Sequence, residues 1–127
     1  MSALNTIDDY IDDGRILLQD TISPYRYDDA SMVTAFNVGM LEGRRVRPDL
    51  FVYNSHGGRV QQVTAKDGTA IEMEEQFRLA FLHAMVAHVL ERDQEDVQDA
   101  RAASFMGIFN AILLGHGPNA SAQSGGS

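Results

Sequence analysis

The stretch that most restricts the fold is Leu79–Leu90, LAFLHAMVAHVL, twelve residues without a glycine, a proline or a charged side chain. At the helical period it carries one stripe through Phe77, Ala80, Phe81, Ala84, Ala87 and His88, and a second through Leu82, Val86 and Val89. A helix that is apolar nearly all round has to be covered on more than one side. The run is too short to span a bilayer and contains two histidines, so the cover is protein. The helix predicted here runs from about Glu72 to Glu91, and the rest of the chain has to supply what surrounds it.

Three further helices are legible. The first runs from Asn5 or Thr6 to about Gln19, with Asp8 and Asp9 in its first turn, where the helix dipole favours negative charge. Its Ile7, Tyr10, Ile11, Gly14, Leu17 and Leu18 share a face. Asp8, Asp9, Asp12 and Asp13 fall mostly opposite; lacking the alternating loop pattern of a calcium site, they read as a solvated face. Pro24 ends that segment, and Asp28 caps a second helix from about Asp29 to Arg45. Its buried stripe is Val33, Phe36 and Met40; Gly39 and Gly43 permit close approach by a neighbour, and Pro48 is the stop signal. The last helix runs from about Gln94 to Leu114, with Asp93 as its cap and Gly115 closing it. Residues 51–72 are the least helical part. Asp67-Gly68 is a favoured turn there, but the alternation around it is imperfect, which leaves a short hairpin or an extended arm. The expectation is an all-α bundle of about four helices, domain 1–115, followed by an extended polar tail, 116–127.

The length of 127 residues allows one domain, and with no cysteine there is neither disulfide nor thiolate chemistry. The opening residues MSALNTIDDYIDD have no basic start or apolar run, so a soluble intracellular product without a signal peptide is expected. The net charge is −8. Affinity for nucleic acid comes mainly from Lys and Arg neutralising phosphates, so this chain is not expected to grip DNA. An acidic surface is useless to a repressor and useful in a channel through which DNA must slide.

Few residues offer chemistry. His83 and His88 are five apart and do not share a helix face as two metal ligands would, while His56 and His116 lie in glycine-flanked loops. No nucleophile elbow, phosphate loop or dinucleotide fingerprint is present. No metal, cofactor or catalytic residue is expected, and no enzyme. Arg44, Arg45 and Arg47 form the one basic cluster. They can oppose the negative end of the second helix's dipole, pair with an acidic face of a neighbouring subunit, or contact a phosphate. Of the last two, the subunit contact is the more economical, given four aspartates on the first helix.

The order of elements resembles a family. Gly14–Phe51, GRILLQDTISPYRYDDASMVTAFNVGMLEGRRVRPDLF, resembles the opening of the head-to-tail adaptor proteins of tailed bacteriophages, also called connector or head-completion proteins. The matching elements are Leu17, Leu18 and Asp20 at a helix end, Arg26-Tyr27 in a corner, Asp28-Asp29 at a helix start, and Arg47-Pro48-Asp49 at its close. The second half is similar to the family's last two helices through Leu90, Arg92 and Asp93, Ala100–Ala103, and Leu114-Gly115. Where the family often has tryptophan and asparagine in helix two, this chain has Phe36 and Asn37.

The resemblance implies a structural virion protein at the head–tail junction, made in the host cytoplasm. It would assemble as a ring, dodecameric by analogy, below the portal protein, extend the DNA channel without binding DNA specifically, and dock tail or nozzle proteins. No membrane is involved. Arg26 and Tyr27 would belong to a packing joint between helices one and two, with Tyr25 and Tyr27 burying their rings and Arg26 paired with Asp28, Asp29 or a neighbour's carboxylate. The interface candidates are Arg26, Tyr27, Arg44, Arg45 and Arg47, with Pro118, Asn119, Ala120 and Ser121 in a tail laid along a portal or subunit groove. The rival readings are a free acidic helical regulator or protein-binding module, and an enzyme with an unrecognised site.

Overall fold

The computed structural model describes residues 3–52, 54–92 and 96–115, the last range without the side chains of 96–98. The fold is all-α: helices α1 (Ile7–Leu18), α2 (Asp29–Val46), α3 (Glu75–Glu91) and α4 (Asp96–Leu114), with a 3₁₀ turn at Pro48–Phe51. The expected cap Asp93, the expected helix start at Gln94 and the tail lie outside the described residues.

Local chemistry sets most helix ends. Thr6 caps α1 by accepting from the Asp9 N–H at 3.2 Å, while the Asp9 carboxylate accepts from the Thr6 N–H at 3.2 Å. This reciprocal box satisfies two donors that the first turn leaves open. Gln19 closes α1 in the left-handed region at φ 57°. Asp28 caps α2 by accepting from the Ser31 N–H at 2.7 Å. Pro48 stops α2 and opens the 3₁₀ turn, where its missing N–H costs nothing. Gly115 follows α4 at φ 67°.

The apolar helix α3 is the axis of the bundle and packs on α1, α2 and α4. Every residue from Ala80 to Ala87 is buried, which is why two stripes were needed. Gly43 of α2 lies against the Phe81 ring, and a Cβ there would sit 2.6 Å from Phe81 Cζ. Phe81 is also the centre of a chain of edge-on rings, 6.2 Å from Phe51 and 6.0 Å from Phe109, so the turn after α2 and helix α4 meet across it. On the other side, Tyr10 of α1 meets Phe36 of α2 at 5.0 Å.

The four aspartates of α1 form the expected solvated face only in part, with the Asp12 side chain 60% and the Asp8 side chain 45% exposed. Asp13 is buried, Asp9 is used in the capping box, and Asp8 and Asp12 both pair with Lys66, the latter at 3.1 Å. The chain's one lysine lies on the segment between α2 and α3 and ties it down on α1.

That segment is an extended arm; among the described residues it forms no hairpin ladder. Its one backbone bridge joins Ala70 to Thr6, with Ile7 N–H donating to Thr69 O at 3.0 Å and Ile71 N–H to Asn5 O at 2.9 Å. Side-chain amides replace the ladder. Gln61 spans the two limbs, donating to Ala70 O at 2.6 Å and accepting from Glu72 N–H at 2.9 Å. Asn37 of α2 treats Val63 as a strand would, donating to its carbonyl at 2.9 Å and accepting from its N–H at 3.0 Å. Val63, Ile71 and Met73 are the buried anchors. Because Glu72 is held by Gln61 and Met73 is buried in the arm, α3 starts at Glu75 and not at Glu72.

Candidate functional site

The corner between α1 and α2 is built around a residue whose partners lie far along the chain. Arg15 sits on the last turn of α1 and is 4% exposed. Its guanidinium donates to Asp20 at 3.1 Å, to the Tyr27 carbonyl at 2.7 Å and to Asp29 at 2.6 Å. Asp20, also buried, accepts in turn from the backbone N–H groups of Arg26 at 2.8 Å and Tyr27 at 3.1 Å. The left-handed Gln19 aims Asp20 back into this joint. The Ser23–Pro24 peptide bond is cis. Buried charges of this kind hold only when their remaining hydrogen bonds are filled, and here they are.

The tyrosines therefore differ from the sequence expectation. Tyr25 is 46% exposed and lies outside, its ring centre 3.9 Å from the Arg15 guanidinium carbon. Tyr27 is half-buried and packs on the core. Arg26 lies over the Tyr27 ring at 5.6 Å, and Asp29 is taken by Arg15. The burial that was expected of two rings belongs to one guanidinium; an aromatic face offers a cation a weakly hydrated partner at the surface.

Arg44, Arg45 and Arg47 diverge, and each has an intramolecular role. Arg44 donates to Gly58 O at 2.8 Å and pins the arm. Arg45 pairs with Glu42 one turn back, which holds the Glu42 carboxyl below the usual range. Arg47 grips Asp49 through two bonds, at 2.9 and 2.8 Å, and donates to Leu113 O at 2.5 Å, filling an open carbonyl at the end of α4. Arg78 and Arg101 work the same way, on Met73 O at 2.8 Å and Leu17 O at 3.1 Å. Five arginines are thus anchored on backbone carbonyls, which leaves few cations to meet a polyanion. Pro118, Asn119, Ala120 and Ser121 lie outside the described residues.

Two surface features are assembled by the fold. One is a cavity of about 350 Å³ lined by Arg26, Tyr27, Ser31, Val89 and Arg92, where the corner, the start of α2 and the end of α3 converge. Two arginines line it, Arg26 from the corner and Arg92 just past the end of α3. The other is the outer face of α4. Ala102–Leu114, thirteen residues, carries no charged side chain. Ala102, Phe109 and Leu113 are buried, while Ala103, Ser104, Gly107, Ile108, Asn110 and Leu114 are exposed. Ile108 is turned outward, 40% exposed.

The described histidines, His56, His83 and His88, do not converge. His83 is buried against the Phe105 ring at 5.6 Å with its Nδ1 2.8 Å from Leu79 O, and His56 pairs with Glu72 at 3.1 Å. Among the described residues no group of three or more His, Asp or Glu side chains is placed to hold a metal, and no helix is long and apolar enough to cross a membrane. The chain matches no family model, no curated protein and no solved structure.

Proposed function

We propose that the chain is a structural adaptor of a tailed-phage head–tail junction, forming a ring below the portal protein, extending the DNA channel and docking tail components. The observation that carries this reading is the outer face of α4. In a chain of net charge −8, thirteen consecutive residues without charge form a helix covered by α3 on one side and open on the other. Isolated exposed apolar residues are ordinary, but a whole helix face kept free of charge is what a protein contact needs. Ser104 and Gly107 let a neighbour approach closely, with Ile108 and Leu114 as apolar contacts. Heterologous contacts between copies close into a ring when the rotation fits.

The acidic surface supports the channel part of the reading. With the arginines held on carbonyls and in local pairs, little positive charge is left to slow DNA passing by. Its work would be mechanical, sealing packaged DNA and passing it at ejection, with no catalysis. The test is to mix the purified full chain with portal rings. Co-sedimentation at a fixed subunit ratio, with rings visible by electron microscopy, is the expected result; no binding to portal rings of any tailed phage tried removes the adaptor reading in favour of a free acidic regulator.

A further inference from the structure

Three helices each carry a long run without a charged side chain: Ala30–Leu41 in α2, Leu79–Leu90 in α3 and Ala102–Leu114 in α4. The α3 run is covered by its neighbours. The other two each turn one face to α3 and leave the opposite face bare. These bare faces differ in relief. On α2, Val38 and Leu41 stand up as a ridge, 41% and 54% exposed, with Thr34 one turn before them. They lie on the side of the helix away from Gly39 and Gly43, which press on Ala84 and Phe81 of α3. On α4, Ser104, Gly107 and Ala111 follow one another along the outer face at the helical period. A Cβ added at Gly107 would meet nothing within 4 Å, so the middle of this face is an open furrow, with Ile108 and Leu114 at its edges. Charged groups stay at the margins. Beside the α2 ridge, Arg45 pairs with Glu42, His88 pairs with Glu91, and Arg92 faces Asp28. Asp99 and Arg101 precede the α4 furrow, and Arg101 is turned onto Leu17 O.

We propose that the Val38–Leu41 ridge of α2 in one copy of this chain lies in the Ser104–Gly107–Ala111 furrow of α4 in the next. The occupant is a second copy because the two faces match in relief and in what they lack. Helices pack by setting the ridges of one into the grooves of the other, and here one face supplies the ridge and the other the groove. A charged surface laid on either face would lose its water without gaining a partner. In a chain of net charge −8 such surfaces are common: the outer faces of α1 and of the start of α3 carry Asp8, Asp12 and Glu75. The α2 and α4 faces are free of that penalty toward each other, since the charges flanking the ridge already face opposite ones. Ridge and furrow are different surfaces on different helices, so the contact is heterologous and propagates from copy to copy instead of closing a two-fold dimer. A face running from Ala103 to Leu114 is about 17 Å long and one helix wide, which keeps the contact below the roughly 1,200 Å² of a stable interface. It is therefore weak between free chains and becomes effective once copies stand side by side on the portal. The inference rests on the ring-forming part of the reading above and names the two faces that meet in it.

The chain has no cysteine, so introduced thiols can report on the contact. Leu41→Cys and Gly107→Cys both fall at open positions, and unchanged thermal melting is the folding control. The two full-length variants, alone and mixed, are treated with a short bismaleimide cross-linker at about 1 mM, where even a millimolar contact is about half-formed. The mixture should cross-link about tenfold faster or more than either variant alone, and a chain carrying both substitutions should give a ladder of linked copies. Adding Val38→Asp to the Leu41→Cys chain should remove the cross-link, because its carboxylate would be buried in the furrow without a partner. A mixture no faster than the single variants, a Gly107→Cys chain that links to itself as fast as the mixture, or a rate indifferent to Val38→Asp would each overturn the contact. The same mixture is then loaded on portal rings. Loading without a cross-link between the two positions would keep the adaptor reading and overturn this contact, whereas a cross-link in solution with no portal loading would remove that reading and keep the contact.

Discussion

Arg15 is the residue on which the corner depends. Removing one partner from a buried, fully hydrogen-bonded charge set leaves the others uncompensated, so Arg15→Ala should cost about 3–5 kcal/mol in urea unfolding. Arg15→Lys should recover little, because an ammonium cannot serve Asp20, Asp29 and the Tyr27 carbonyl from one plane. Tyr27→Ala, with a half-buried ring, should be milder, about 1–2 kcal/mol. If Tyr27→Ala costs as much as Arg15→Ala, the joint is held by its ring and not by its charges. Sequence reading pointed at Arg26 and the tyrosines because aromatic and basic residues stand out in a loop. Arg15 sits among exposed-looking positions of an amphipathic helix, and its partners are five to fourteen residues away. A signal was present: Asp20, two residues past the end of α1, carries a carboxylate that needed a donor, and Arg15 lies five residues back in the last turn.

At the scale of elements, the helices were legible because their causes are local. The apolar period, the Thr6 and Asp28 caps and the Pro48 and Gly115 punctuation all act within a few residues. The arm was not, because it is held by the amides of Asn37 and Gln61 across 26 and 9 to 11 residues, and an isolated polar side chain does not announce such a reach. The packing of α2 on α3 gives a test by contrast. Gly43→Ala drives a methyl into the Phe81 ring, which is fixed edge-on to Phe51 and Phe109 and cannot retreat. It should cost about 1–3 kcal/mol by overpacking. Gly14→Ala crowds the flexible ends of Met85 at 2.5 Å and Met32 at 3.1 Å and meets Val86 at an ordinary 3.7 Å. There the helix-propensity gain of up to about 1 kcal/mol should offset the crowding, leaving the melting point nearly unchanged. The α2 cap gives a pH test. The Ser31 hydrogen bonds hold the Asp28 carboxyl below its usual range. Its folded pKa is thus lower than its unfolded one, so its contribution is present above the unfolded pKa of about 4 and is lost as pH falls through the folded value. Asn caps a helix as well as Asp and does not titrate in that range. Asp28→Asn should therefore melt close to wild type at neutral pH and show a shallower loss of stability below about pH 4. Identical pH profiles for the two proteins would mean that Asp28 does not cap α2 in solution.

For the whole molecule, the distribution of charge and its absence define two kinds of surface. One is acidic and should slide past DNA: binding to duplex DNA at physiological salt should be weaker than about 10⁻⁴ M, outside the usual non-specific range. Micromolar binding with a steep salt slope would remove the channel reading. The other surface is the outer face of α4, where two adjacent residues separate folding from assembly. Phe109 is fully buried at the end of the Phe51–Phe81–Phe109 chain, and Phe109→Ala should cost about 3–5 kcal/mol of stability. Ile108, one position earlier, is turned 100° around the helix and is 40% exposed. Ile108→Asp puts a charge where water already reaches, so the free chain should melt within a few degrees of wild type, the cost being helix propensity of about 0.5 kcal/mol. In the assembly the same carboxylate would have to be buried without a partner, and loading onto portal rings should fall by about two orders of magnitude or more. A chain carrying Ile108→Asp that folds and loads like wild type would show that α4 faces solvent in the finished particle, and the observation on which the adaptor reading rests would lose its meaning.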